Sequence, residues 1–145
     1  MFSSLKISAS GLTAQRLRLD IIANNLANAE TTRTAEGGPY RRQLPVFAAR
    51  KEASFRRYMN RALSKQPVGQ GVCVTRIGED TSPLKRRYQP GHPDADEEGY
   101  VLYPNVNVVT EMVDMISASR SYEANAAAFN ASRSMVVKAL ELGRR

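Results

Sequence analysis

Along the last third of the chain, mostly apolar residues return at alternating spacings of four and three: Val108, Met112, Met115, Ser119, Tyr122, Ala126, Phe129, Arg133, Val136 and Leu140. That period keeps one stripe of an α-helix turned toward a partner helix, and it predicts a coiled-coil seam about nine turns long. The N-terminus carries Leu5, Leu12, Leu19 and Leu26, seven apart, with Ile22 and Ala23 on the same face. A first helix of about six turns cannot cover a second of about nine, so part of the C-terminal seam is expected to meet another chain. Ser119 and Arg133 are polar seam positions of the kind that can fix register. Ala118, Ser121, Ala124, Ala126, Ala127, Ala128 and Ala131 keep the helix slim enough for close neighbours.

Helix limits follow from capping chemistry. Ser3 or Ser4 can start the first helix, which should run to about Asn28. Asn24, Asn25 and Asn28 are poor helix-interior residues, because their amides compete with the backbone, and they are expected to bind a loop or another chain. For the second helix, Asn105 or Asn107 can serve as the cap. Glu111 and Asp114 suit its positive end, Gly143 is a natural stop, and Arg144 and Arg145 suit the negative end.

Between the helices the pattern changes to short, turn-bounded runs. Residues 29–38 read as a linker, and Tyr40–Phe47 as a strand that Pro45 confines to an edge. Gly71–Ile77, Leu84–Tyr88 and Gly99–Pro104 read as further short strands, forming a small antiparallel sheet of two or three strands. Residues 48–70 are basic and poor in apolar side chains, an insertion with a possible short helix between Ala49 and Ser64. The predicted fold is mainly α: N- and C-terminal helices pair as a coiled-coil-like bundle, residues 1–34 and 105–145, around a small β-rich insert, residues 35–104, with a basic loop at 48–70.

Composition constrains this picture without changing it. The 145 residues are 42% apolar and 24% charged, ordinary for a folded chain. The insert alone is near the lower size limit for a self-sufficient core, so stability should depend on neighbours. The net charge of +7 is concentrated at Arg33, Arg41, Arg42, Arg50, Lys51, Arg56, Arg57 and Arg61. Such a field admits nucleic acid or an anionic membrane as partner, and equally a solvated loop or one docked on an acidic neighbour. The single Cys73 forms no internal disulfide and is expected to be buried in a strand. No apolar run is long enough to span a membrane, and Met1–Ile7 lacks the apolar core of a cleaved secretory signal. The chain should therefore stay in the cytoplasm or leave by a route that needs no such signal.

Catalytic and metal chemistry find no support. Asp94, Asp96, Glu98 and Gly99 match the start of a calcium loop, but Asn105 stands where a bidentate Glu is needed. His92 and Cys73 are alone of their kinds, too few for zinc or for a nucleophilic triad. Neither phosphate-binding glycine motif occurs. No enzyme activity, cofactor or metal is expected, and the leading reading is an assembly subunit with a basic nucleic-acid-binding module as the alternative.

Two end motifs sharpen that reading: Ser10-Gly11-Leu12-Thr13-Ala14-Gln15 with Ala23-Asn24-Asn25-Leu26-Ala27-Asn28, and Asn105-Val106 through Glu111-Met112-Val113 to Arg120-Ser121-Tyr122-Glu123-Ala124-Asn125. Together the two ends resemble the flagellar axial family of rod and hook proteins. Pro39-Tyr40-Arg41, Tyr88-Gln89-Pro90-Gly91-His92-Pro93-Asp94-Ala95-Asp96 and Gly99-Tyr100-Val101 narrow the likeness to its proximal-rod members, over nearly the whole chain. Residues 50–69 look longer than the usual middle of that family.

The resemblance implies a subunit of the basal-body rod that spans the periplasm, serves motility and transmits torque by packing. It implies self-association and, as partners, other proximal-rod proteins, the distal-rod protein, and the rod adaptor and MS-ring at the base. Export unfolded through the flagellar type III apparatus would replace a signal peptide, and nucleic acid would not be bound. The expected contacts are Leu5, Leu12, Leu19, Leu26, Met112, Met115, Ser119, Ala126, Phe129, Val136 and Leu140 on the ladders. Asn24, Asn25, Asn28, Arg120, Tyr122 and Asn125 are expected beside them.

Overall fold

Helices fill most of the two long proline-free stretches at the ends of the chain, in a computed structural model that describes residues 2–35, 37–50 and 69–143. Helix α1 spans Phe2–Ala27 and helix α2 spans Val108–Leu142. Asn107 caps α2, its side-chain oxygen accepting from the amides of Val109 at 3.1 Å and Thr110 at 3.4 Å. Gly143 ends it, with its N–H bonded to the carbonyl of Ala139. Ser3 and Ser4 lie inside α1 and not at its cap, since the helix is already formed at Phe2.

The helices run antiparallel: Asn25 near the end of α1 bonds Glu111 near the start of α2, and Gly11 abuts Asn125 further along. Between them the chain makes four strands, β1 Gln43–Ala49, β2 Val72–Glu79, β3 Lys85–Tyr88 and β4 Tyr100–Tyr103. The fold is mainly α, with a small β-rich middle.

A single small sheet does not form. β1 pairs with β2 and β3 with β4, each pair antiparallel and separate. The break lies at residues 80–83, where Asp80 turns the chain by accepting the Ser82 amide at 2.9 Å and Pro83 follows, so β3 leaves β2 instead of continuing its ladder. β1 starts later than expected because Tyr40 and Arg42 bond outside any strand: the Tyr40 amide donates to the Thr31 carbonyl and the Arg42 amide to Asn105. A bulge leaves Thr75 unmatched between the Val46–Arg76 and Phe47–Val74 pairs, and its hydroxyl donates to the Val46 carbonyl. Cys73 is half-buried, not buried, because a two-stranded sheet packed on one helix leaves its rim open.

Ala14, Ile21, Ile22, Val101, Val106 and Ala118 are the buried apolar residues among those described; Ala14 lines a cavity with Val72 and Val74 of β2, and Ile21 and Ile22 line one with Leu44 and Phe47 of β1. Most of the 48–70 loop, including its expected helix, lies outside the described residues, as do Arg144 and Arg145.

Candidate assembly interface

An asparagine in the last turns of a helix must satisfy an amide that the helix does not need. Asn25 does so with its side chain 1% exposed. Its Oδ1 accepts from the Gln43 amide at 2.9 Å and the Tyr40 hydroxyl at 2.9 Å. Its Nδ2 donates to the Gln43 carbonyl at 2.9 Å and to Glu111 Oε2 at 3.2 Å. The amide thus closes a two-bond pairing with the first residue of β1 while touching α2. Asn24 and Asn28 serve locally: Asn28 Nδ2 donates to the Asn24 carbonyl and side-chain oxygen, and Asn24 donates to Tyr40 at 3.3 Å.

Glu111 is equally enclosed, and a buried carboxylate needs a cation. Arg42 supplies it, with Nε 2.6 Å from Oε1, and extends to Asp114 at 3.4 Å and toward Asp80 at 4.0 Å. Arg18 of α1 meets Asp114 at 3.0 Å. Arg42 itself is aimed by its backbone, whose N–H donates to Asn105 Oδ1, while the Asn105 amide group holds Asp80 and Ser82. The result is a clasp of Arg18, Asn25, Arg42, Glu111 and Asp114 that ties both helices to the start of β1.

Two groups at its rim have shifted acidities. The hydrogen bonds from the Ser82 backbone and hydroxyl hold Asp80 below the usual carboxylate range, with Arg42 and Arg41 adding to them. Partial burial pushes the Tyr40 hydroxyl up, and the negative charges of Glu111 and Glu79 push the same way.

Further along the helix pair the polar theme persists. A side chain added at Gly11 would place its Cβ 2.8 Å from Asn125 Oδ1, so glycine lets the helices close at that layer. Buried positions on α2 are Glu111, Ala118 and Ser132, seven or fourteen apart, and the half-buried Asn125 completes the series. They fall one residue before Met112, Ser119, Ala126 and Arg133 of the predicted ladder. Met115, Phe129 and Val136 are shared by both stripes and are half-buried. On α1 the ladder leucines Leu5, Leu12, Leu19 and Leu26 are half-buried, while Ala14, Ile21, Ile22 and Asn25 beside them are buried.

The helix pair leaves a number of large apolar side chains open. Val109, Met112, Val113 and Ile116 are exposed on the first turns of α2, Val109 at 70%. Met135, Val137, Leu140 and Leu142 are exposed on the last turns, Leu142 at 76%. Arg120 and Tyr122 are exposed too, and Arg120 has no ion-pair partner among the described residues. The sequence reading missed Arg18, Arg42, Glu111 and Asp114 as a unit. A glutamate in the first turn of a helix reads locally as a dipole partner, and its real partner lies 69 residues earlier.

Among the described residues no group of His, Cys, Asp and Glu is placed to hold a metal ion, and no helix is long and apolar enough to cross a membrane. The family model for flagella basal body rod proteins matches residues 5–33, and the model for the C-terminal part of flagellar basal body rod FlgEFG proteins matches residues 97–142. The chain is 50% identical to the flagellar basal-body rod protein FlgC of Borreliella burgdorferi, covering 98% of this chain and 97% of that one. It is 47% identical to FlgC of Bacillus subtilis, over 99% and 98%, and 41% identical to FlgC of Aquifex aeolicus, over 97% and 96%.

Proposed function

The chain belongs to the FlgC family of flagellar basal-body rod proteins, and on that premise we propose that it is laid into the proximal rod through the outward faces of its two terminal helices. It is a structural subunit of the basal-body rod, not an enzyme, and it assembles with other rod components. The nucleic-acid alternative draws no support from these relatives.

One observation carries the proposed mode of assembly. Val109, Val113 and Ile116 share one face of α2, at spacings of four and three, and are all more than half exposed. Large apolar side chains grouped on an open helical face gain free energy only when a neighbour covers them. Leu140 and Leu142 at the far end repeat the situation. In this reading residues 1–34 and 105–145 form the helical part that packs in the rod, and residues 35–104 project from it. The ladder leucines on α1 add their half-open sides, and torque passes through packed side chains.

The neighbours are other proximal-rod proteins, further copies of this chain, the distal-rod protein, and the rod adaptor and MS-ring at the base. Delivery is by the flagellar type III apparatus, with the chain unfolded.

The test is Val113→Asp with Ile116→Asp in a flagellated host whose own copy is removed. Burying a carboxylate without a partner costs several kcal/mol, about 2–7 even for milder polar groups, so rods should fail to form and motility should be lost while the subunit is still made and folded. Normal basal bodies in that variant would refute the helix-face assignment.

A further inference from the structure

The β3–β4 hairpin has two unlike faces. Its register sets Lys85, Arg87, Val101 and Tyr103 on one side and Arg86, Tyr88, Tyr100 and Leu102 on the other. The first side is anchored: Val101 is fully buried, the Lys85 ammonium donates to the Val106 carbonyl, and the Tyr103 hydroxyl donates to Gln89 at 2.6 Å. Every side chain of the second is exposed, Tyr88 at 62%.

Exposure has not left these groups loose. The Arg86 guanidinium sits 4.9 Å from the centre of the Tyr100 ring, and Tyr88 meets Tyr100 edge-on with centroids 5.3 Å apart. Gly99, at φ +78°, makes room for that arrangement: a Cβ there would lie 2.9 Å from Tyr88 Cε2. Aromatic and arginine side chains, fixed in place and facing water, have the composition of an interface centre, and their order lowers the entropy cost of binding.

The complement is on the same hairpin. The loop joining the strands carries Asp96, Glu97 and Glu98, all exposed. Glu98 reaches Arg86 of its own chain only at 3.7 Å, with side chains 77% and 58% exposed, a pair worth little in water. Glu97 has no ion-pair partner among the described residues.

We propose that the outward face of β3–β4 is a contact between copies of this chain, in which the acidic loop 96–98 of one copy docks on Arg86, Tyr88 and Tyr100 of the next. Charge complementarity selects the occupant, since one subunit carries both halves. With the loop of each copy on the Arg86–Tyr100 patch of the next in one direction, the contact is heterologous and propagates through a ring or helical array. It uses a surface apart from the helix faces, whose role stands or falls separately.

Mixed disulfides test it. In a Cys73→Ser background, a tagged Arg86→Cys copy and an untagged Glu97→Cys copy are expressed together in the flagellated host, and isolated basal bodies are oxidised. A tagged–untagged product should form at roughly ten times the yield obtained with Arg76→Cys, an exposed position on β2, in place of Arg86→Cys. Assembled basal bodies containing both copies without that product would overturn the proposal.

Charge reversal gives a second reading that needs no cysteines. Arg86→Glu should lower incorporation into basal bodies about tenfold, and adding Glu97→Arg with Glu98→Arg should restore it. Reversal without rescue would assign the patch to a different partner and overturn the contact between copies. No effect of reversal would remove it as an interface, and motile cells in that case would leave the helix-face reading intact.

Discussion

The inner and outer faces of the helix pair differ in the polar and apolar groups that they set apart: polar pairs are held among the buried side chains, and large apolar side chains are left on the surface. Inside, α1 meets α2 through Arg18 with Asp114, Asn25 with Glu111, and Gly11 against Asn125. Outside, α2 presents Val109, Val113, Ile116, Leu140 and Leu142 to solvent. A helix pair that had only itself to stabilise would do the reverse, because burial of apolar surface is the main source of stability and buried polar groups cost free energy unless paired. A subunit with external partners faces a different balance. Its apolar area is worth most where a neighbour supplies the other half, and its polar groups are most discriminating inside, where a wrong register leaves a charge unpaired.

The inner face should therefore be the most fragile part of the isolated subunit. Arg42→Met removes the cation from a carboxylate that is 1% exposed and leaves Asn25 as its remaining partner. Stability of the purified protein to urea should fall by about 3–5 kcal/mol. Replacing both partners, Arg42→Met with Glu111→Leu, should recover a large part of that loss, since the uncompensated charge is gone. Equal losses in the single and double variants would show that the clasp is not an isolated polar layer, and would weaken the contrast between the faces.

That contrast also explains what could be read from the chain and what could not. The limits of α2 were legible because capping is local: Asn107 and Gly143 act within a few residues of themselves, whereas the start of α1, formed already at Phe2, was misplaced at Ser3 or Ser4. The misfit of Asn25 in a helix was legible for the same reason, as a conflict between an amide and its backbone. The seam was read one position away from the actual centre of the pair, because periodicity reports where apolar residues recur and not which partner covers them. Met112 and Leu140 belong to the apolar ladder yet lie exposed, while Glu111, Ala118 and Ser132 lie inside. The pairing of Arg42 with Glu111 depends on the fold bringing β1 against the start of α2, and no local signal carries it. The split into two hairpins falls at Asp80–Pro83, where the Ser82 amide donates to Asp80 and the distant Asn105 amide holds both residues.

The close approach at Gly11 offers a milder break. Gly11→Leu puts a branched side chain against the Asn125 amide, which is itself tied to the Ser121 carbonyl at 2.9 Å. The helices must separate or Asn125 must turn, at a cost of about 1–3 kcal/mol in thermal or chemical unfolding. Asn125→Ala in the same chain should return part of it. A Gly11→Leu subunit of unchanged stability would mean that the helices are held apart at this layer, and the inner face would lose one of its defining contacts.

The smallest effect is read by titration, because the rim of the clasp carries two groups whose acidity the fold shifts and the outer apolar side chains carry none. Asp80 has its acidity raised in the fold, its pKa lying below that of the unfolded chain, so its contribution is fully present above about pH 4 and is lost as pH falls through the folded value. Tyr40 shifts upward, so the stability tied to its neutral hydroxyl holds below about pH 10 and is lost as pH rises through its folded value. Urea unfolding across pH should accordingly weaken at both extremes, with Asp80→Asn flattening the acid limb and Tyr40→Phe the alkaline one. Tyr40→Phe should also lower the neutral plateau by about 1 kcal/mol, since it removes the hydroxyl that donates to Asn25. A change such as Val113→Ala on the outer face should move neither limb. If it reshaped the profile as strongly as Asp80→Asn, titration of the clasp would not be the source of the pH dependence, and the apolar face would be linked to the polar interior through the fold of the subunit itself.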